Sequence, residues 1–217
     1  ATVSCFLDKG YEIGSVGTVM PDLEVKIGEN NEILLRGKTI TTGYYKKPEA
    51  TAAAIDKDGW FHTGDAGYLK GNHLYLTERI KDLFKTSNGK YISPQALETK
   101  LSIDRYIDQI AVIADQRKFV SALIVPVYGL VKNYAKEKGL EYKDMADLLQ
   151  HPKVQALFRA RIDTLQQQFA HYEQVKRFTL LSEPFSMERG ELTNTLKLKR
   201  SVVAKNYKEL IDKMYEE

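Results

Sequence analysis

Cysteine is almost absent from the 217-residue sequence, which contains only Cys5. A single cysteine excludes an internal disulfide, and its rarity is typical of proteins from a reducing compartment. Long hydrophobic runs are also missing, because no apolar stretch approaches the roughly 20 residues needed to span a bilayer. No signal-peptide pattern opens the sequence. These absences predict a cytoplasmic protein.

A marked excess of charge of one sign is missing as well. The 32 lysines and arginines are interleaved with 29 aspartates and glutamates, and the formal net charge is +3 at pH 7. This distribution favours a mixed, solvated surface. We therefore expect no nucleic-acid partner. A basic nucleic-acid binding module, suggested only by the isoelectric point near 8.7, is the remote alternative.

Two common phosphate-binding loops are not found in the sequence. Neither GxGxxG nor GxxxxGK[ST], whose glycines let backbone N–H groups surround phosphates, occurs. Gly37-Lys38-Thr39 matches the end of the second pattern, but Glu32 stands where its first glycine is required. We therefore reject this segment as a phosphate loop.

The first eighty residues alternate short apolar runs with turn residues. The runs are VGTVM, LEVKI, EILLRG, WFHTGD and HLYLTE, between residues 16 and 78. They predict strands, with hairpin turns at 28–31 and at Gly71-Asn72. In this region Tyr44 and Tyr45 are expected to pack among the strands, and Trp60 is expected to fill a core with Phe61.

The pattern changes near residue 80. Ser93-Pro94 is typical of an N-cap followed by proline at the first helical position, and it predicts a helix through Leu101. Strands are predicted at 109–114, 119–127 and 175–181. Helices are predicted at 131–137, 144–149 and 152–169, and a loop at 184–195 precedes a terminal helix. The fold class is therefore α+β, with a β-rich subdomain followed by a small mixed α/β domain.

Apolar spacing predicts which faces of two helices are buried. The helix at 152–169 is expected to face a core with Val154, Leu157, Phe158, Ile162, Leu165 and Phe169. The terminal helix is expected to do so with Val203, Tyr207, Leu210 and Met214.

Two motifs carry the clearest chemistry. GWFHTGDAGYL, residues 59–69, contains Asp65 in a Thr-Gly-Asp turn, where a short carboxylate can accept hydrogen bonds from two hydroxyl groups, as a ribose offers. ERIKDLFKTSNGKYISP, residues 78–94, follows it, and Arg79 could contact the same sugar or its phosphate. Taken alone, Thr-Gly-Asp is also an ordinary surface turn.

Two further segments complete a set of four ordered motifs: GENNEILLRGKTITTGYYKKPEAT at 28–51 and LTNTLKLKR at 192–200. With this set, the chain resembles the acyl-adenylate-forming superfamily of AMP-binding enzymes, which includes acyl-CoA synthetases, luciferases and peptide-synthetase adenylation domains. The resemblance is strongest to long-chain fatty acid–CoA ligases and spans nearly the whole chain. The combination is specific, whereas an isolated RGK or TGD is not.

The resemblance implies that the chain is the C-terminal portion of a ligase. Residues 1–80 would be the β-rich end of the large AMP-binding domain, part of a distorted barrel, and residues 81–217 its mobile small domain. The family's phosphate loop and acyl pocket lie in a large N-terminal domain, to which nothing here corresponds. Ala1 also begins without an initiator methionine. We therefore expect a fragment whose partner is the N-terminal domain of the same protein, and which forms no acyl-CoA alone.

The resemblance also implies a two-step reaction with ATP, CoA and a fatty acid as substrates. The fatty acid attacks ATP to form acyl-AMP, and the CoA thiol then displaces AMP. Lys197 matches the family lysine that bridges the acyl carboxylate and the α-phosphate. Many relatives have a proline-asparagine-glycine-lysine run there, whereas Thr195-Leu196 precedes Lys197, a variant similar to the long-chain subgroup. Mg²⁺ is expected to arrive with ATP and to be held mainly by the N-terminal domain.

The remaining site residues follow from the same resemblance. They are Asp65, Leu76 and Arg79 at the nucleotide, Ser87, Asn88 and Gly89 beside CoA, and Lys81 at the hinge between the domains. The turn at 87–89 is equally typical of a plain hairpin. Lys81 could equally be an ordinary surface lysine.

Several alternatives stay open. An adenylation domain that loads a carrier protein would share every motif. A downstream carrier domain would reveal it, and none is expected after Glu217. Peripheral membrane association also stays open. His62 adjoins the nucleotide motif without a paired acid at useful spacing, which favours positioning over acid–base catalysis. His73, His151 and His171 are scattered, so no metal site is expected.

Overall fold

The computed structural model describes residues 2–3 and 12–216, without the side chains of Thr2, Val3 and Lys81. Cys5 lies outside the described residues. The chain divides into two compact units, Ala1–Leu83 and Phe84–Glu217.

The first unit is built on a six-stranded antiparallel sheet. Its strands, in chain order, are β1 Thr2–Val3, β2 Gly17–Val19, β3 Leu23–Ile27, β4 Glu32–Gly37, β5 Phe61–Lys70 and β6 His73–Arg79. The spatial order is β1-β2-β6-β5-β4-β3. A barrel was expected, but the described strands form an open sheet with β1 and β3 at its edges. One helix, α1 Pro48–Ala54, lies between β4 and β5.

The core of the first unit is small. It is formed by Leu23, Ile33, Leu35 and Leu74, all less than 10% exposed. Gly67 is required for close packing of β5 on β6, because a Cβ atom there would lie 2.2 Å from the carbonyl oxygen of Tyr75. The strand pairing shifts register between Ala66 and Gly67.

The second unit combines a three-stranded sheet with six helices among the described residues. A short hairpin, β7 Phe84–Lys85 and β8 Tyr91–Ile92, opens it, and the sheet consists of β9 Ile107–Ile113, β10 Val120–Pro126 and β11 Val175–Leu180. β10 lies in the centre, antiparallel to β9 and parallel to β11. The helices are α2 Pro94–Leu101, α3 Tyr128–Glu137, α4 Met145–Gln150, α5 Pro152–Leu165, α6 Arg200–Asn206 and α7 Lys208–Lys213. The predicted mixed α and β class is confirmed.

Helices cover both faces of this sheet. Every residue of β10 is buried. On one face Ile124 belongs to the core that contains Leu101 of α2 and Phe158 of α5, and on the other Leu123 belongs to the core that contains Val203 of α6 and Ile211 of α7. A strand covered on both faces is a continuous apolar run rather than an alternating one.

Most predicted elements are present, with three differences. Helix α1 was not predicted, although Pro48 at its first position and its alanines favour a helix. Tyr44 and Tyr45 precede it at the surface and are 48% and 85% exposed, so the prediction that they pack among the strands was wrong. Trp60 is only partly buried, and its ring lies 4.5 Å from the Arg36 guanidinium rather than deep in a core.

The terminal helix differs in one detail. It is broken at Tyr207, whose φ is −107° and ψ is 20°. This break changes the phase of the apolar face, so Ile211 is buried at 2% exposure, whereas Leu210 is 36% exposed. The predicted burial of Val203 and Met214 is confirmed.

Candidate functional site

Asp65 and Arg79 lie opposite each other on neighbouring strands of the first unit. They are partners in the register of β5 and β6, and Arg79 Nε is 3.2 Å from Asp65 Oδ1. The Asp65 side chain is 33% exposed and that of Arg79 is 71% exposed. The carboxylate can therefore accept hydrogen bonds from hydroxyl groups of a ligand, while the guanidinium beside it offers donors to an anion.

The Thr-Gly-Asp segment lies inside β5, so its assignment to a turn was wrong. The strand continues through it because Thr63 and Gly64 supply irregular hydrogen bonds. The Thr63 hydroxyl donates to the Ile33 carbonyl at 2.7 Å and accepts from the Asp65 N–H at 3.1 Å. Gly64 has a φ of +70°, and its N–H donates to Glu32 at 2.9 Å. This bulge sets the position of Asp65.

His62 has carboxylate partners that sequence spacing did not indicate. Its Nδ1 lies 2.9 Å from Glu32 Oε2, and its Nε2 lies 3.8 Å from Asp56 Oδ2. The expectation of no paired acid was therefore wrong, because pairing of β4 with β5 brings together residues that are thirty positions apart. The Glu32 carboxylate bonds both His62 and the Gly64 N–H, so its contacts support the segment before Asp65.

Leu76 lies on β6 opposite Gly67 of β5. Its side chain is 50% exposed. An exposed leucine offers apolar surface to a ligand. No further contact assigns it a role.

In the second unit, Ser87, Asn88 and Gly89 form the tip of the hairpin between β7 and β8. Gly89 has a φ of +75°, which favours glycine, and no atom lies within 4 Å of where its Cβ would stand. Thr86 closes the turn, since its N–H donates to the Lys90 carbonyl at 2.9 Å and its hydroxyl accepts from the Lys90 N–H at 3.1 Å.

The same hairpin is bound to the loop between β9 and β10. The Ser87 N–H donates to the Arg117 carbonyl at 3.0 Å, and the Asn88 amide donates to the Lys118 carbonyl at 3.5 Å. The tip is therefore held at its base, and Gly89 faces open space.

Lys197 lies on a small hairpin near the end of the chain. Leu192 and Leu198 form an isolated antiparallel bridge. Above it, the Thr193 N–H donates to the Lys197 carbonyl at 2.8 Å, and the Lys197 N–H donates to Thr193 Oγ1 at 3.0 Å. Leu196 occupies the left-handed region with a φ of +60°. The Lys197 side chain is exposed and makes no ion pair or hydrogen bond with any residue that the structure describes.

A buried glutamate lies at the base of this hairpin. Glu191 has a side chain only 1% exposed, less than the carboxylate of any other ion pair among the described residues, the next being Asp104 at 7%. It accepts hydrogen bonds from the Ser186 N–H at 2.9 Å, from the Arg189 guanidinium at 3.1 Å and from the Asn206 amide at 3.2 Å. Burial raises the pKa of Glu191, but these hydrogen bonds outweigh it and hold the pKa below its ordinary value.

A second ion pair fixes the start of α6. The Arg200 guanidinium donates to both oxygens of Glu98 on α2 at 2.6 Å, and Glu98 also accepts from the Val112 N–H at 2.8 Å. This bidentate geometry is the strongest arrangement for an arginine and a carboxylate. Arg200 is therefore bound within the unit, whereas Lys197 is free to meet a ligand.

The family of the chain follows from comparison with known proteins. The family model for the AMP-binding enzyme C-terminal domain matches residues 81–217, well over half of the chain. This chain belongs to that family.

Relatives of this AMP-binding enzyme C-terminal domain carry the names of fatty acid ligases. The chain is 34% identical to "Long chain acyl-CoA synthetase 6, peroxisomal" of Arabidopsis thaliana over 97% of its own length and 33% of that protein. It is 35% identical to "Putative fatty-acid--CoA ligase fadD11" of Mycobacterium tuberculosis over 94% of its own length and 36% of that protein. The chain thus spans about a third of the length of the curated relatives it matches.

Solved structures of adenylate-forming enzymes share the fold. The A domain of carboxylic acid reductase from Segniliparus rugosus, in complex with AMP and a co-purified carboxylic acid, has a TM-score of 0.66 and 26% identity, and covers 85% of this chain and 28% of that one. O-succinylbenzoate Coenzyme A synthetase of Bacillus subtilis has a TM-score of 0.56 and 22% identity, and the match covers 88% of this chain and 35% of that one. The second similarity shows the fold alone.

The predicted site residues are divided between the AMP-binding enzyme C-terminal domain and the unit before it. Asp65, Arg79 and Leu76 lie on adjacent strands of the first unit, whereas Lys197 and the 87–89 turn belong to the second. Lys81 lies in a short 3-10 turn, Ile80–Asp82, and its side chain is outside the described residues. Sequence reasoning missed Glu191, because a lone acid in a polar loop gives no indication of burial.

The described residues offer neither a metal-ion cluster nor a membrane-spanning helix. In the part of the chain that the structure describes, no group of three or more His, Cys, Asp and Glu residues is arranged to hold a metal ion. No helix within residues 12–216 is long and apolar enough to cross a bilayer.

Proposed function

We propose that this chain is the C-terminal part of an ATP-dependent long-chain fatty acid–CoA ligase. The observation that carries the proposal is Lys197, an exposed ammonium that has no partner among the described residues and lies on a closely bonded hairpin. It occurs in a chain that is similar over nearly its whole length to proteins named long-chain acyl-CoA synthetases. In this proposal, residues 1–80 complete the large domain and residues 81–217 form the mobile small domain.

Lys197 acts in the first step. A carboxylate oxygen of the fatty acid attacks the α-phosphorus of ATP, the bond to pyrophosphate breaks, and negative charge accumulates on the phosphate oxygens. An ammonium placed in advance at those oxygens lowers the barrier, because it needs no reorganisation when the charge develops. The exposed position of Lys197 suits this role better than that of Arg200, whose guanidinium is already paired with Glu98.

The first unit supplies contacts to the nucleotide. The Asp65 carboxylate accepts hydrogen bonds from the ribose hydroxyl groups, and Arg79 donates to the sugar or its phosphate. Leu76, on the same strand as Arg79, offers an exposed apolar side chain. The 3.2 Å pair between Asp65 and Arg79 supports this assignment, since it fixes both groups before ATP binds. Mg²⁺ arrives with the phosphates of ATP.

The second step uses CoA. The thiol sulfur attacks the acyl carbonyl carbon, the bond to AMP breaks, and the thioester forms. Ser87, Asn88 and Gly89 lie beside the pantetheine chain, where the open space around Gly89 accommodates a thin ligand. A rotation of the small domain near Lys81 moves Lys197 away from the acyl-AMP and brings the 87–89 turn to it. Lys81→Pro would restrict φ near −65°, so acyl-AMP should accumulate in rapid-quench experiments while ATP affinity is retained.

The decisive experiment uses the natural full-length protein that contains this chain. Incubation with a long-chain fatty acid, ATP, Mg²⁺ and CoA should yield acyl-CoA, AMP and pyrophosphate in equal amounts. A phosphopantetheine carrier protein in place of CoA is the control, since one neighbour is an A-PCP didomain of carboxylic acid reductase. Transfer to the carrier but not to CoA would reject the ligase and favour a carrier-loading adenylation domain.

A further inference from the structure

Glu191 has the least exposed carboxylate among the ion pairs described in the second unit, at 1% exposure compared with 7% for Asp104. A buried carboxylate is strongly unfavourable unless hydrogen-bond donors surround it. Glu191 has donors from three places: the Ser186 backbone, the Arg189 guanidinium and the Asn206 amide of α6. The mechanism proposed above does not use Glu191. Its position therefore needs another explanation.

The backbone of Glu191 closes the base of the Lys197 hairpin. Its carbonyl accepts from the Lys199 N–H at 2.7 Å, and its N–H donates to the Ser186 carbonyl at 3.0 Å. Ser186, which precedes Lys197 in the chain, and Lys199, which follows it, are thus both bonded to Glu191. The carboxylate joins that residue to α6 through Asn206.

We propose that Glu191 is a positioning residue for adenylation, whose buried carboxylate holds the hairpin so that the Lys197 ammonium is placed for the α-phosphate. This inference rests on the proposed function of Lys197. It requires no contact between Glu191 and substrate. A displacement of a catalytic group by about 1 Å can lower a rate by about 10²-fold.

Glu191→Gln is the informative variant, because it keeps the size of the side chain but replaces one acceptor oxygen with a donor that faces Arg189. In the natural full-length protein, kcat for acyl-AMP formation should fall by about 10²-fold with little change in KM for ATP. Thioester formation from supplied acyl-AMP should change less than twofold, since Lys197 is not needed for it. A merely structural defect would lower both half-reactions together.

Glu183→Gln is the matched control. Glu183 also contacts Arg189, at 3.3 Å, but its side chain is 74% exposed. This variant should keep both half-reactions within twofold of the unchanged protein. Equal losses in the Glu183 and Glu191 variants would overturn the proposal.

A double-mutant cycle tests whether Glu191 acts through Lys197. In a Lys197→Ala background, Glu191→Gln should cause no further loss of adenylation. If the rate losses of the two single variants multiplied in the double variant, the positioning role would be overturned. A Lys197→Ala variant with undiminished adenylation would instead reject the proposed function itself.

Asn206→Ala covers the outcome in which Glu191→Gln fails to fold. It removes one donor and leaves the pair between Glu191 and Arg189. We expect a loss of roughly tenfold in adenylation alone. An equal loss in both half-reactions, or no loss, would contradict the proposal.

Discussion

The two units hold their exposed charged residues by different means. In the first, Asp65 is placed by strand pairing, since β5 pairs with β6 from Asp65 onward and with β4 on both sides of the bulge. In the second, Lys197 lies on a hairpin whose base is closed by the backbone of Glu191, a residue with a buried carboxylate. A residue on a strand changes position only if the sheet slips, whereas a residue on a loop depends on a few hydrogen bonds. A single substitution can therefore disturb the loop.

The largest effect is expected from Lys197→Ala in the full-length protein. Loss of one preorganised donor typically lowers a rate by about 10² to 10³, so adenylation should fall by at least that factor. Thioester formation from supplied acyl-AMP should be largely retained. Both rates are measured by single-turnover quench. Lys199→Ala, two residues away and also exposed, is the control and should lower neither rate tenfold. Equal loss in both half-reactions would contradict the division of labour between the steps.

Asp65→Ala tests the strand-held residue. The ribose would lose an ionised acceptor whose hydrogen bonds are worth about 1.5 to 3 kcal/mol, so the Kd for ATP should rise by about 10- to 150-fold. Isothermal titration of the full-length protein measures this change. Asp58→Ala, an exposed acid before β5, should leave the Kd unchanged. Comparable weakening in both variants would remove Asp65 from the nucleotide site.

Acid should affect the second unit through Glu191. Burial raises the pKa of Glu191, but the hydrogen bonds from Arg189 and its other donors outweigh it and lower the pKa. A carboxyl whose folded pKa is lowered stabilises the fold above its unfolded pKa, near 4.3, and this contribution is lost as the pH falls through the folded pKa. Stability should therefore decrease below about pH 4.3.

Denaturant unfolding of the chain between pH 3 and pH 7 measures this dependence. Glu191→Gln should show a shallower decrease in acid, because the titrating group is gone. Glu183→Gln should keep the original dependence. An unchanged acid slope in Glu191→Gln would mean that other carboxyl groups, such as Asp212 beside Arg117, govern the acid response.

The smallest effects concern two turns of the second unit and should have opposite signs. Leu196 has a φ of +60° and Gly89 a φ of +75°. A left-handed conformation costs an L-residue about 1 to 2 kcal/mol, while glycine costs about 0.5 to 1 kcal/mol in unfolded-chain entropy. Leu196→Gly should thus raise the free energy of unfolding by about 0.5 to 1 kcal/mol, and Gly89→Ala should lower it by about 1 kcal/mol. Urea unfolding midpoints that shift in the same direction would contradict this reasoning.

Elements fixed by neighbouring residues could be predicted from the sequence, whereas elements fixed by distant contacts could not. Helix α2 was predicted with both ends correct, because Ser93 caps it and Pro94 occupies its first position. The break at Tyr207 could not be predicted, since it depends on how α6 and α7 pack on the sheet. Its consequence is burial of Ile211 in place of Leu210, and helical spacing alone cannot choose between them because both positions fit one face with Val203.

The candidate site shows the same limit. Asp65, Arg79 and Lys197 were found through motifs, and their roles stay predictions. The pair of His62 with Glu32 depends on the register of β4 and β5, including an irregularity in their pairing. Glu191 required knowledge of burial, because its partners Ser186, Arg189 and Asn206 lie on two sides of it in the chain and are common polar residues.

The central position of β10 has a consequence for synthesis of the chain. Its parallel partner β11 begins roughly fifty residues later in the sequence. At a translation rate of about 5 to 20 residues per second, β10 emerges with β9 but waits for roughly 2 to 10 s before β11 exists. During that interval an uncharged strand with an open edge is exposed to other nascent chains. Chaperone binding to residues 120–126 on the ribosome would shield the strand until β11 is made.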